Sequence, residues 1–251
     1  MNKEEQMIQN RLIELSNVSY HKNIVMFSDF LNLNELHILN SINKSLLPTQ
    51  YKTFGGYKLA ERQMVAFLPD ALCYEYNYPI KILRISPVNK RFAENLSHRD
   101  YLGSLMNLGI ERSNLGDIIM AEEGTFLFVS EKLSSYITDE LTRVRHTTVI
   151  VREETKTDFT YEPSFELIKG SVASIRLDTV LTLAFPLSRS KITLFIQEGR
   201  TFVNGKLVTN NGHPLKEGDL ITLRKMGRVQ YLGILSETKK KRQMIQIRKY
   251  L

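Results

Sequence analysis

Three runs within residues 174–206 decide how this chain reads: Ser174-Ile175-Arg176-Leu177-Asp178, Leu187-Ser188-Arg189-Ser190-Lys191, and Gly199-Arg200-Thr201-Phe202-Val203-Asn204-Gly205-Lys206. Leu177, Val180, Leu181 and Ala184 recur at i, i+3, i+4 and i+7, which predicts a helix with one apolar stripe and with Arg176, Thr179 and Thr182 turned away from it. Pro186 ends that helix, because its ring pushes Phe185 out of the helical region. Ser188 suits the N-cap of a second helix, whose stripe is Ile192, Phe195 and Ile196 and which Gly199 stops. Asn204-Gly205, between the strand-like runs 201–203 and 206–208, signals a two-residue hairpin.

Arg189 and Lys191 fall in the first turn of the second helix, where the positive end of the helix dipole costs a cation about 0.3–1 kcal/mol. Nothing inside that helix rewards the choice. A phosphate on the free N–H groups of the turn would reward it, since both side chains add charge-assisted hydrogen bonds. The same two cations could also be ordinary solvated surface charges.

In order and spacing, Arg176-Leu177-Asp178, Ser188-Arg189-Ser190-Lys191, Gly199-Arg200, Val203-Asn204-Gly205 and Gly218-Asp219 resemble the RNA-binding module of ribosomal protein S4, also called the αL module. That resemblance implies RNA binding, with Arg176, Ser188, Arg189, Ser190, Lys191, Arg200, Asn204 and Lys206 facing the RNA. Thr201 and Phe202, where the module commonly has a valine-rich strand, and Ile192, where it often has alanine, depart from the pattern and bear on packing more than on chemistry.

Charge points to the same end of the chain. From Ser171 onward there are 15 Lys/Arg against 5 Asp/Glu, or +10, whereas the preceding 170 residues hold 19 against 22, or −3, together the +7 of the whole chain. An electrostatic footprint for nucleic acid therefore belongs to the last third. The 251 residues suffice for two or three domains, and no apolar run approaches a membrane span, so a cytoplasmic protein is expected, without membrane contact and as a monomer. One cysteine, Cys73, allows neither an internal disulfide nor a cysteine-built metal site, and no cofactor is implied.

The expected architecture is α+β and multidomain. Residues 1–75 read as a small α/β domain: a helix over 4–16, a second starting at Asn32 or Asn34, a turn at Phe54-Gly55-Gly56-Tyr57 and a strand over 62–68. Gly55-Gly56 lacks the Gly-Lys-Ser/Thr of a phosphate loop. Residues 76–155 read as strand (80–85), helix (97–108), strand (117–121), strand (125–129), helix (131–143) and strand (147–152). That βαββαβ order is ferredoxin-like, the arrangement of RNA-recognition motifs. Phe126 and Phe128 stand where such a motif stacks bases, but Glu123 replaces the basic residue expected before Gly124, which favours packing against a neighbouring domain. Residues 156–171 read as a linker and 172–251 as the S4-type domain, with further strands over 220–224, 229–234 and 244–249 and a cationic hairpin tip, Lys239-Lys240-Lys241-Arg242, a solvated turn or a phosphate contact.

Ser97-His98-Arg99-Asp100 contains the His-Arg-Asp of a kinase loop but has Leu105 where that loop needs Asn, and His98 and Asp100 lie on different helix faces, which suits no metal. Locally it reads as a cap, Ser97 with Asp100 at N3. The longer run 96–110 with Gly116-Asp117-Ile118, Gly55-Gly56-Tyr57 and Ala60-Glu61-Arg62 resembles the YlmH family of bacterial S4-domain proteins over essentially the whole chain. The resemblance implies a non-enzymatic RNA-binding protein that associates with the large ribosomal subunit, contacting ribosomal RNA and peptidyl-tRNA in rescue of stalled translation. It makes Ser97, His98 and Arg99 a second candidate surface, with helix capping and domain packing as the alternative. A pseudouridine synthase, many of which carry the same module, is the rival; its Gly-Arg-Leu-Asp active-site motif is absent. A cell-division adaptor is a third reading, for which the sequence shows no partner surface.

Overall fold

The structure, a computed structural model, describes residues 3–70, 74–121, 123–154, 164–238 and 241–250. Cys73, Lys239 and Lys240 lie outside the described residues. Contacts gather the chain into two compact units, residues 1–160 and 161–251.

The first unit opens with α1 (Lys3–Lys22), β1 (Met26–Phe27), α2 (Leu33–Ser41), β2 (Gln50–Phe54) and β3 (Met64–Leu68). Asn32 starts α2 by a reciprocal cap: its Oδ1 accepts from Asn34 N and Glu35 N at 2.9 and 3.1 Å, while Glu35 Oε2 accepts from Asn32 N at 2.6 Å. The strands form an antiparallel sheet of order β1-β3-β2, and Leu12, Leu15, Leu36 and Leu39 of the helices pack on Val65 and Phe67 of its central strand. Edge strand β2 went unforeseen because four of its five residues are exposed, so its sequence carries no apolar alternation.

A second sheet follows in the same unit. Its elements are β4 (Ile80–Pro87), α3 (His98–Asn107), β5 (Leu115–Ala121), β6 (Gly124–Ser130), α4 (Ser134–Glu140), β7 (Arg143–Val144) and β8 (Thr147–Glu153), with strand order β5-β6-β4-β8-β7 and antiparallel neighbours throughout. One face carries Leu83, Ile85, Leu127, Val129, Val149 and Val151, covered by Leu105 of α3 and Ile137 of α4. The helix expected over 131–143 is shorter: a 3₁₀ turn, Glu131–Leu133, leads into α4, which ends at Glu140. β-Branched Val144, fully buried, instead pairs with Thr147 and opens the β7–β8 hairpin.

The second unit comprises β9 (Phe165–Val172), α5 (Leu177–Ala184), α6 (Arg189–Gln197), β10 (Thr201–Val203), β11 (Lys206–Leu207), β12 (Leu220–Leu223), β13 (Gly227–Glu237) and β14 (Gln243–Tyr250). Its six strands run in the order β11-β10-β12-β13-β14-β9. Leu177, Val180, Leu181 and Ala184 of α5, the stripe the spacing predicts, and Ile192 and Ile196 of α6 are all buried on Ile221, Val229, Ile245 and Ile247 of the sheet, whereas Phe195, third member of the predicted α6 stripe, is only partly buried. Asn204 and Gly205 take φ of 50° and 75°, the turn that Asn-Gly favours.

The expectation of a linker through Ser171 is corrected here. Phe165–Val172 is a strand, paired along its length with β14 from Phe165↔Tyr250 to Val172↔Gln243. Gly170, read as a linker glycine, is a packing residue: a Cβ there would meet Leu183 Cδ1 of α5 at 2.3 Å. An edge strand with exposed Phe165, Glu166, Leu167 and Lys169 shows no clean alternation, which is why it passed for a loop.

Candidate nucleic-acid interface

Asp178 organises the cationic turn between α5 and α6. Its side chain is 4% exposed, and Arg189 reaches it with Nη2 at 2.7 Å and Nε at 3.2 Å from Oδ2, while Arg176 places Nε 3.2 Å from Oδ1 and Nη2 3.2 Å from Oδ2. Burial pushes the carboxyl pKa up, but hydrogen bonds and charge from Arg189 and Arg176 outweigh it and hold the group below its ordinary value. Both guanidiniums stay open to solvent, 40% for Arg176 and 60% for Arg189. The position of Arg189 at a helix N-terminus, which nothing inside α6 rewards, is thus rewarded in part by the carboxylate of the preceding helix. Charge is neutralised only partly, two cations to one anion.

Ser188 caps α6 by accepting from Lys191 N at 3.4 Å and shares a hydrogen bond of 3.0 Å with the Ser190 hydroxyl. Lys191 is exposed, with Nζ 6.0 Å from the centre of the Phe195 ring. On that ring lies the guanidinium of Arg200, 3.6 Å from its centroid, steadied by Glu198 at 3.7 Å and by the Arg224 carbonyl, which accepts from Nη2 at 3.3 Å. Stacking of this kind is worth about 0.5–1 kcal/mol near a surface and fixes a flat cationic plane.

Some exposed residues of the predicted set are also tied within the fold. Asn204 donates to Asp219 Oδ1 at 2.8 Å and accepts from Leu220 N at 2.9 Å, so its side chain locks the hairpin to the start of β12. Lys206 is exposed on the neighbouring short strand. At the β13–β14 turn, Lys241 is exposed, and Arg242 donates from Nη2 to Ser171 O at 2.8 Å and from Nε to Ser171 Oγ at 3.0 Å.

In the first unit, Asp100 Oδ2 accepts from Ser97 N at 2.8 Å and from Ser97 Oγ at 2.7 Å. Those side-chain and backbone bonds lower its pKa below the usual carboxylate range. His98 and Arg99 follow, both exposed, and desolvation with the nearby charge of Arg112 lowers the His98 pKa. Arg112 donates to the Leu115 and Gly116 carbonyls at 2.8 and 3.0 Å; burial, and then the charge of Arg62, bring its pKa down to about 10.

The aromatic face of β6 is closed. Phe126 and Phe128 are buried, and the Tyr57 ring sits 5.1 Å from Phe128 at 32°. The Gly55-Gly56-Tyr57 loop lies over this face so closely that a Cβ on Gly56 would meet Phe128 Cδ1 at 2.2 Å. Packing, not base stacking, is the role of these rings, as Glu123 before Gly124 suggests.

Sequence reasoning missed Asp178 as the anchor of two arginines and Phe195 as the support of Arg200. An acid beside an apolar stripe, flanked by basic residues, was the available signal for the first. For the second there was only helical spacing, which assigns Phe195 to the core.

Two family models match the chain: "Putative RNA-binding domain in YlmH" over residues 74–158 and "S4 domain" over residues 175–221. The chain is similar to the YlmH family of S4-domain proteins. It is 26% identical over 242 residues to the ribosome-associated protein quality control protein P2 of Bacillus subtilis, covering 95% of this chain and 92% of that protein. Over 61% of its length the chain is similar in fold to the cell division protein YlmH from Streptococcus pneumoniae, with a TM-score of 0.51, 23% identity and 93% of the other chain covered. Among the described residues no helix is long and apolar enough to cross a membrane, and no cluster of three His, Cys, Asp or Glu could hold a metal.

Proposed function

We propose that this protein is a non-enzymatic RNA-binding factor that associates with the large ribosomal subunit and acts in quality control of stalled translation, contacting ribosomal RNA and peptidyl-tRNA. The observation that carries the reading is the solvent-open cationic turn in the second unit, where Arg176 and Arg189 are held by Asp178 and Lys191 and Arg200 flank Phe195. Cations held in place at a helix N-terminus suit phosphates of folded RNA, where recognition is by shape and backbone. The B. subtilis relative, by name a ribosome-associated quality control protein, supports the setting.

The middle elements support an RRM-like reading of topology: β4, β5, β6 and β8, taken as first to fourth, lie in the order 2-3-1-4, with the two-residue β7 outside β8 at the sheet edge and both helices on one face. Their aromatic face is buried, so RNA contact there falls to other surfaces, among them Ser97, His98 and Arg99.

Five cations in the cationic site (Arg176, Arg189, Lys191, Arg200, Lys206) less two paired carboxylates (Asp178, Glu198) leave a charge of +3. About three phosphate contacts give a slope of log K against log salt on the order of −3. Arg189→Ala with Lys191→Ala is expected to flatten that slope by about two and to reduce co-sedimentation with large subunits at moderate salt. Unchanged binding by a folded double variant would refute the reading.

A further inference from the structure

Phe92 is 82% exposed, and no packing role explains it. It occupies a short 3₁₀ turn, Lys90–Phe92, that is tied down on both sides. Asn89 Oδ1 accepts from Arg91 N at 3.0 Å, Val88 N donates to the Thr148 carbonyl at 3.0 Å, and Glu94 N donates to Thr147 Oγ1 at 3.0 Å. Both anchors belong to β8, so the turn rides on the β7–β8 hairpin with the ring in solvent.

The surroundings are cationic. Thr148 pairs across the hairpin with Arg143, and the hairpin turn is Arg145-His146; Arg145 approaches Asp100 of α3 at 3.6 Å, one residue from Arg99. Arg91, Arg99, Arg143, Arg145 and His146 are all exposed. Residues 88–100 and 143–148 together hold five Lys/Arg against two Asp/Glu, or +3, within a stretch of 170 residues whose total is −3. An exposed aromatic alone would suit many partners. Set within an island of positive charge on an otherwise acidic stretch, it suits a polyanion that also offers flat apolar surface.

We propose that Phe92 is a stacking finger for an unpaired RNA base, with Arg91, Arg99, Arg143, Arg145 and His146 receiving the flanking phosphates. A base from a loop or bulge loses its stacking partner when splayed out and regains one on an aromatic ring, while the guanidiniums neutralise the backbone on either side. This gives the first unit an RNA contact that does not need its buried sheet face. The inference rests on the RNA-binding reading above, and it adds the requirement that part of the bound RNA be single-stranded.

The chain contains no tryptophan, so Phe92→Trp places the sole indole at the proposed contact. Three probes are titrated against the full-length protein: a stem–loop RNA with an adenine loop, the same stem closed as a blunt duplex, and the stem–loop with an abasic loop. The indole emission is expected to be quenched by the adenine loop and not by the other two. Phe92→Leu is expected to bind the adenine stem–loop about tenfold more weakly and the duplex as tightly as the unsubstituted protein does. Binding of the stem–loop without quenching, equal quenching by the abasic probe, or undiminished affinity of the leucine variant each overturns the stacking finger. A response to intact ribosomal particles but not to their extracted RNA assigns the ring to a protein contact and overturns it too. Arg189→Ala with Lys191→Ala, run alongside, weakens all three probes if the second unit binds RNA, so failure of that reading is seen separately.

Discussion

Arg189 Nη2 lies 2.7 Å from Asp178 Oδ2, joining the first turn of one helix to the buried first turn of the helix before it. Arg176 completes the arrangement from the N-cap of α5. A carboxylate 4% exposed has lost its water and depends on these donors, whereas the guanidiniums keep theirs. Asp178→Asn retains the shape but turns an amide N–H₂ toward a cation. The variant is expected to destabilise the second unit by about 2 kcal/mol, seen as a lower melting temperature of its transition. The sign with pH follows from the depressed pKa. Asp178 contributes stability above its unfolded value of about 4, and that contribution is lost as pH falls through the lower folded value, so the acid limb of the stability profile should be shallower in the asparagine variant. Parallel acid limbs would show that the carboxylate is not the group being titrated.

Arg200→Lys separates charge from shape. A lysine keeps the positive charge but cannot lie flat on Phe195, where the guanidinium now sits 3.6 Å from the ring centre. RNA affinity at fixed salt is expected to fall about three- to tenfold while the slope against salt stays the same, since the number of cations is unchanged. Phe195→Leu should act in the same direction by removing the support. Full affinity in the lysine variant would mean that only the charge of residue 200 matters.

Legibility followed the strength of local signals. The stripe of α5, the Pro186 stop, the Ser188 cap and the Asn204-Gly205 turn were all readable because each is set by neighbours within a few residues. β2 and β9 were not, because edge strands are specified by the partner they pair with, and both expose alternate and adjacent residues alike. At the cationic site the sequence placed the positive charges but not the anion that holds two of them. Asn204 has a second role that residue type and resemblance did not suggest: its exposed side chain closes hydrogen bonds to Asp219 and Leu220.

Gly56 is fixed twice, by conformation and by space. Its φ is +98°, and a Cβ would lie 2.2 Å from Phe128 Cδ1. Gly56→Ala is expected to cost the first unit about 3 kcal/mol in denaturant unfolding, from strain at positive φ and from overpacking together. Phe128→Leu in the same chain should recover only the steric part, making the double variant more stable than the sum of the single effects implies. Strict additivity would mean that the loop does not rest on this ring.

Arg62 ties three chain segments together with one planar group. Its Nε donates to the Leu115 carbonyl at 2.8 Å, and Nη2 to the carbonyls of Phe30 at 2.8 Å and Arg112 at 3.0 Å, while its backbone N–H donates to Asp117 Oδ1 at 3.1 Å. The segment before β3 is thereby fastened to the approaches of α2 and β5, across the two sheets of the first unit. Burial lowers the guanidinium pKa, and Glu35, Asp117 and Glu61 act against that. Arg62→Lys keeps the charge in this partly apolar site but has no fork, so at least one of the three carbonyls loses its donor. The expected cost is about 3 kcal/mol, together with faster hydrogen exchange at the Glu61 and Arg62 amides that Asp117 now holds. A lysine variant within about 0.5 kcal/mol of the unsubstituted protein would show that charge alone, and not the three-way fork, joins these segments.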